Sequence, residues 1–216
     1  LAPAADITGT ITLKGTPPAE KEIVELAKDP SCGKLHTAPV KTKHYVVGPN
    51  GQLANVVVYL KGISGKSTGS SAKPVVLDQK GCEYVPQILA VQTGQTLLVR
   101  NSDPLLHNVH NTPTAKGNKM HNLAQLAGAP DLKFTFDEPE MFIRFKCDVH
   151  PWMFAWVSVF DHPYFAVTDA EGKFKIADVP PGKYTVEAVH RKAGSATREV
   201  EVADQPVSVD FTLEAK

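Results

Sequence analysis

The apolar residues of this chain come in short runs, and inside each run they alternate with polar ones. MFIRFKC (Met141–Cys147), ITGTITL (Ile7–Leu13), REVEV (Arg198–Val202) and VSVDFTL (Val207–Leu213) show the pattern most clearly. A period of two sends successive side chains to opposite faces, which suits a half-buried strand and rules out an amphipathic helix over the same residues. Val, Ile, Thr and Phe fill the runs, and Gly, Pro, Asn-Gly or Asp-Pro separate them. Two stretches read otherwise: a helix over AEKEIVELAKD (Ala19–Asp29) and a turn around HNLAQLAG (His121–Gly128). The expected fold class is therefore all-β, built as sandwiches.

With 216 residues, 42% of them apolar, the chain can bury one large core or two modest ones. Its formal charge is zero, so nothing electrostatic argues for nucleic acid or an acidic membrane as partner. No apolar run reaches the roughly 18 residues that a membrane helix requires. The opening LAPAAD reads as the start of a chain released from a signal peptide, or simply of a trimmed one. Three cysteines leave one over after pairing. Cys32 and Cys82 lie in polar, turn-like surroundings, while Cys147 ends an alternating strand. The economical reading is a Cys32–Cys82 disulfide with Cys147 kept as a thiolate; three unrelated thiols is the alternative. A disulfide implies an oxidising, extracytoplasmic compartment, periplasmic or secreted.

Composition suggests where the chain divides. Gly62–Lys73 is rich in Gly and Ser, so residues 62–72 read as a linker. A second seam falls at Asp161–Pro163. Residues 73–162 between them hold enough strands for one sandwich. Residues 6–61 and 163–216 are each short, and are expected to combine into a second, discontinuous sandwich.

Arg144–Phe160, RFKCDVHPWMFAWVSVF, places Cys147, His150 and Met153 on one turn between two strands. A thiolate, an imidazole and a thioether suit a soft metal such as copper, and a trigonal His₂Cys set with a weak axial Met is the blue-copper arrangement. The second imidazole can come from NSDPLLHNVHN (Asn101–Asn111), where His107 follows a strand and a turn. Taken singly, each of these side chains would ordinarily be structural. Zinc fits less well, because structural zinc sites use Cys and His without a thioether.

The pair HNV (His107–Val109) and Cys147-x-x-His150-x-x-Met153 resembles the plastocyanin and amicyanin branch of the cupredoxins, and ILAVQTGQTLLVRN resembles that family's strands before the first ligand. The resemblance implies one type 1 copper, with His107, Cys147 and His150 in the trigonal plane and Met153 axial. It implies that the Asn108 amide donates to the Cys147 sulfur, and that Pro151, lacking an N–H, leaves the thiolate electron-rich. It further implies an electron carrier rather than an enzyme, with His150 as the solvent-edge exit. Leu105, Leu106 and Trp152 would form an apolar patch for a redox partner such as a c-type cytochrome or a periplasmic dehydrogenase. Two rivals stay open: a copper storage or delivery protein that adds His110 and His121, and a subunit of a copper oxidoreductase with a second metal on His110, His162 or His190. His36 and His44 have no ligand spacing.

Asp169–Gly172 reads as a hairpin turn between FAVT and KFKI, and Pro180-Pro181-Gly182 as a second turn before KYTVEAV. TDAEGKFKIADVPPGKYTV resembles the carboxypeptidase regulatory-like, transthyretin-like sandwich, a module that is usually non-catalytic. ITGTITLKGTPP and LANVVVYLKG have the character of its first strands. The implied arrangement is a copper-binding sandwich inserted into this one, with the Cys32–Cys82 bridge joining the two; a linear run of three parts is the alternative.

Overall fold

The computed structural model describes residues 3–216. Strands β1 (Ala5–Lys14) and β2 (Val57–Lys61) come first, with the short helix α1 (Val24–Lys28) between them. Next come β3 (Val75–Gln79), β4 (Tyr84–Val85), β5 (Ile88–Gln92), β6 (Leu97–Asn101) and β7 (His107–Thr112). They are followed by β8 (His121–Gln125), β9 (Leu132–Phe134), β10 (Glu140–Lys146) and β11 (Phe154–Phe160). The last are β12 (Phe165–Val167), β13 (Lys173–Val179), β14 (Gly182–His190), β15 (Gly194–Val202), β16 (Val207–Ser208) and β17 (Phe211–Glu214). The protein is all-β.

The strands gather into two compact units. The first takes residues up to Glu20, Lys43–Ile63 and Tyr164–Lys216; the second takes Lys21–Thr42 and Ser64–Pro163. In the first, β13, β1, β16 and β17 make one sheet, and β12-β2-β14-β15 make the other. Ile7, Ile11, Val58, Leu60, Ile176 and Phe211 are buried together in its core. The turn at Asp169 is real, with the Asp169 carboxylate accepting from the Glu171 and Lys173 amides at 3.0 and 2.8 Å. It does not close a hairpin, however. β12 pairs with β2 and β13 with β1, so the turn carries the chain from one sheet to the other. Gly172, at φ 68°, is needed there, since a Cβ would lie 2.6 Å from the Ile11 carbonyl oxygen.

The second unit has a five-stranded sheet, β5-β11-β10-β7-β8, and a four-stranded sheet, β4-β3-β6-β9. Leu77, Leu97 and Val99 from the smaller sheet share one core with Val109, Ile143, Phe145 and Val157 from the larger. Burying side chains of this size contributes roughly 1.5–3 kcal/mol each. Truncating Phe145, fully buried, would cost about 3–5 kcal/mol.

Several local expectations change. His121–Gln125 is a strand, β8, because its backbone pairs antiparallel with β7 along the whole stretch from His107↔Gln125 to Asn111↔His121. Pairing overrides a weak turn signal. The helix is confined to Val24–Lys28: Glu22 already bridges to Lys41, and Asp29 precedes Pro30, whose ring disfavours a helical residue before it. Residues 64–72 are not a free linker. Lys66 N–H donates to the Asp161 carbonyl, Ser67 Oγ to the Thr93 carbonyl and Thr68 N–H to Gln92 Oε1, each at 2.8 Å, and Gly69 is buried. Residues 21–42, expected in the discontinuous sandwich, belong with the second unit, so the Cys32–Cys82 bridge lies inside that unit and joins nothing to the other.

Candidate metal centre

Strand β10 aims a cysteine inward by a specific device. The ladder with β11 slips between Glu140 and Ile143, and Phe142 adopts φ 57° there, with Ser158 Oγ accepting its amide at 3.3 Å. A bulge shifts which side chains face the core. Beyond it Ile143, Phe145 and Cys147 are buried in alternation, while Arg144 is exposed. The loop then doubles back. Met153 N–H donates to the His150 carbonyl at 2.9 Å, and Cys147 N–H to the Met153 carbonyl at 3.2 Å. These two backbone hydrogen bonds hold the buried Cys147, His150 and Met153 together on one tight turn.

His107 opens β7, whose residues alternate buried and half-buried, so His107 and Val109 face inward and His110 faces out. His107 Nδ1 lies 3.0 Å from His150 Nδ1, and Cys147 Sγ lies 3.6 Å from the same His150 nitrogen. Donors bound to one ion at about 2.0–2.3 Å stand roughly 3–4 Å from each other. These separations fall in that range, and the set is soft and nitrogenous, as copper prefers. The residues fit the ion. Asn108 N–H donates to Cys147 Sγ at 3.3 Å, and the Asn108 side chain accepts the Asp148 amide at 3.0 Å, tying the start of β7 to the ligand loop.

Asp103 was missed in the sequence, where it looked like turn punctuation. It is buried, and its Oδ2 lies 2.9 Å from His107 Nε2. The same carboxylate accepts the Gly81 and Cys82 amides at 2.6 and 2.7 Å. Gly81 and Cys82 form the two-residue turn between β3 and β4 with φ 66° and 54°, a conformation costly for a cysteine. Asp103 therefore pins both His107 and the disulfide-bearing turn. Burial alone would raise its carboxyl, but the bonds from His107 and the two amides outweigh it and hold it below the ordinary carboxylate value. A neutral His107 that donates Nε2–H to Asp103 keeps its lone pair on Nδ1, the nitrogen nearest His150.

The same balance acts on the thiol. Burial pushes Cys147 up; His107 and the amides of Asn108, His150 and Val149 more than offset this and lower it toward the thiolate. His150 is held below its ordinary value by burial and by the neighbouring His107. Burial works against the charged form of His107, but Asp103 and Cys147 outweigh it and raise it, so a cation seated on both imidazoles and the thiolate would release a proton there.

One expectation about His150 fails. It is not a solvent edge: only 5% of it is exposed. The Cys32–Cys82 bridge stands beside it, with ligand-type atoms of Cys32, Cys82 and His150 all within 4.8 Å of one another. Of the expected patch, Leu106 is exposed, while Leu105 and Trp152 are half-buried against the core. The Trp152 indole N–H donates to the Cys82 carbonyl at 3.1 Å, with its ring 5.3 Å from that of His150.

The remaining histidines are dispersed. His110 Nδ1 sits 2.8 Å from Asp148 Oδ2, His121 packs edge-on against Phe134, and His162 and His190 are buried elsewhere.

A family model for the carboxypeptidase regulatory-like domain matches residues 150–214, which include β12–β17 of the first unit. No curated protein matches. Among solved structures, a copper-containing nitrite reductase (NirK) from Thermus scotoductus SA-01 is similar at 19% identity and TM-score 0.37, over 47% of this chain and 25% of that one. An amicyanin variant in its Cu(I) form is similar at 22% identity and TM-score 0.36, over 47% of this chain and 97% of that one. An oxidised amicyanin variant is similar at 21% identity, with the same TM-score of 0.36 and the same coverage. The chain thus spans a quarter of the reductase's length and nearly all of amicyanin's.

Proposed function

We propose that this protein is an extracytoplasmic, non-catalytic carrier of single electrons that holds one copper ion on His107, Cys147, His150 and Met153. One observation supports this above the others: two imidazole Nδ1 atoms and one free thiol converge, and the far nitrogen of His107 is already taken by Asp103. Copper bound there would supply a one-electron Cu(I)/Cu(II) couple. The chain's own residues do the rest. Asp103 orients His107, and Asn108 and the loop amides donate to the thiolate, so the buried donors are held in place and little need move as charge changes.

The disulfide agrees with an oxidising compartment, and no helix among the described residues is long and apolar enough to cross a membrane. A redox protein such as a c-type cytochrome or a periplasmic dehydrogenase would dock near exposed Leu106 and Val149 and half-buried Trp152. Storage or delivery through His110 and His121 is less favoured, since His110 is committed to Asp148 and His121 to the Phe134 ring. The visible spectrum of the copper-loaded, oxidised protein tests the proposal. An intense sulfur-to-copper band is expected, absent in Cys147→Ser. A parent without it would sink the electron-carrier reading.

A further inference from the structure

The imidazole of a ligand loop is the natural edge for electron exchange, yet here it is sealed. Beside it stands the disulfide of a closed loop of chain. Thr42 N–H donates to the Lys21 carbonyl at 2.8 Å and Ile23 N–H to the Val40 carbonyl at 2.9 Å, so residues 21 and 42 meet at a neck. Between the necks the loop is anchored at three separate points. Leu26, 1% exposed, inserts into the second unit's core. His36 Nε2 lies 2.7 Å from the Gly81 carbonyl. Cys32 is bonded to Cys82, which sits on the turn that Asp103 organises. The bridge sulfurs pack beside His150 on one side, and Cys82 beside Asp103 and His107 on the other.

A loop closed at its neck can lift as one piece without unravelling the sheets beneath it, because none of its residues belongs to their ladders. We propose that residues 21–42 are a disulfide-locked cover over the His150 edge, and that they regulate access to the copper centre. This rests on the copper reading above. While Cys32–Cys82 is intact, small reactants and partner proteins are kept from the imidazole. Reduction by a dithiol opens the lock: the dithiol is oxidised to its own disulfide, and its two electrons and two protons convert the bridge into the thiols of Cys32 and Cys82. The cover then depends only on Leu26, His36 and the neck, and the His150 edge becomes available.

The test compares the parent, Cys32→Ser/Cys82→Ser, and a Leu26→Ala/His36→Ala variant that keeps the bridge but loses both other anchors. On metal-free protein, carbethoxylation of His150 by diethyl pyrocarbonate is followed by peptide mass, with His110 as the internal standard. His150 in the bridge-free variant should react roughly tenfold or more faster than in the parent, and His110 at the same rate in both. The Leu26→Ala/His36→Ala variant should fall between. On copper-loaded protein, oxidation by hexacyanoferrate(III) should accelerate in the same order. Equal His150 reactivity in parent and folded bridge-free variant overturns the cover. If that variant does not fold, an unchanged rate in the Leu26→Ala/His36→Ala variant overturns it instead. Should His150 be uncovered as expected while no variant shows a sulfur-to-copper band, the cover stands and the copper reading falls.

Discussion

Both units bury histidines, and they use them in opposite ways. In the first unit His190, 3% exposed, ends β14, and its Nδ1 accepts the amides of Lys192 and Ala193 at 3.3 and 3.1 Å. That lone pair is consumed by a turn. In the second unit the Nδ1 atoms of His107 and His150 meet each other and a thiol. Burial is the same; the destination of the lone pair differs. A buried imidazole becomes a ligand candidate when its second nitrogen is satisfied and its free one points at other soft donors. Otherwise it is a hydrogen-bonded piece of core.

Copper should make this contrast largest. An ion present at about a thousandfold its dissociation constant stabilises the state that binds it by about 4 kcal/mol. In calorimetry of metal-free and loaded protein, the unfolding of the second unit should move up and that of the first should not. Equal shifts in both would mean the metal is not held where the imidazoles converge.

Acid should act on the other side of the comparison. Burial, helped by the Arg191 charge, pushes His190 down to about 4 from an ordinary value near 6.5. The unfolded chain therefore takes up this proton first as pH falls. The stabilising effect of keeping His190 neutral is complete above about pH 6.5 and is lost on descending toward pH 4, at most about 3 kcal/mol in all. Denaturant midpoints of the first unit measured across that window should fall. In His190→Leu the slope over the window should flatten, and the variant should start about 1–3 kcal/mol lower, because two turn amides lose their acceptor.

The difference between these histidines was only half legible in the sequence. Strands and their alternation were readable because a period of two is a local property, and it placed Cys147 on the inward face with Phe145. Cys147, His150 and Met153 were readable for the same reason, lying on one turn. Asp103 was not, since its role comes from the Gly81–Cys82 turn meeting β7 in space. Nor was the cover. Residues 21–42 carry a helix-like pattern that gave no hint of which core Leu26 would enter, and the Cys32–Cys82 pairing specified a bond without saying which unit it belonged to. The β8 stretch misled because pairing with β7 decides it, not composition.

Asp103 sharpens the comparison from within the second unit, because it is what frees the His107 lone pair. In Asp103→Asn the amide can still accept from the turn, but it no longer offers His107 Nε2 a charged acceptor. Partners of this kind are typically worth 10–100-fold in metal affinity. Competition against a chelator should show a weakening in that range with one copper per chain retained. An unchanged affinity would mean the His107 tautomer is set by something other than the carboxylate.

The smallest effect should come from His110, which stands beside the centre on the outer face of β7. Its Nδ1 is 2.8 Å from Asp148 Oδ2, and Lys146 Nζ reaches the other oxygen of the same carboxylate at 2.7 Å. Asp148 is held at about 2, first by Lys146 and then by His110. Exposed pairs of this kind contribute little to stability. In His110→Gln the copper count should stay at one, the band should keep its position, and the unfolding midpoint should barely move. A fall in bound copper would move His110 to the ligand side of the comparison and revive the storage reading, because a nitrogen already facing a carboxylate would then be reaching a metal as well.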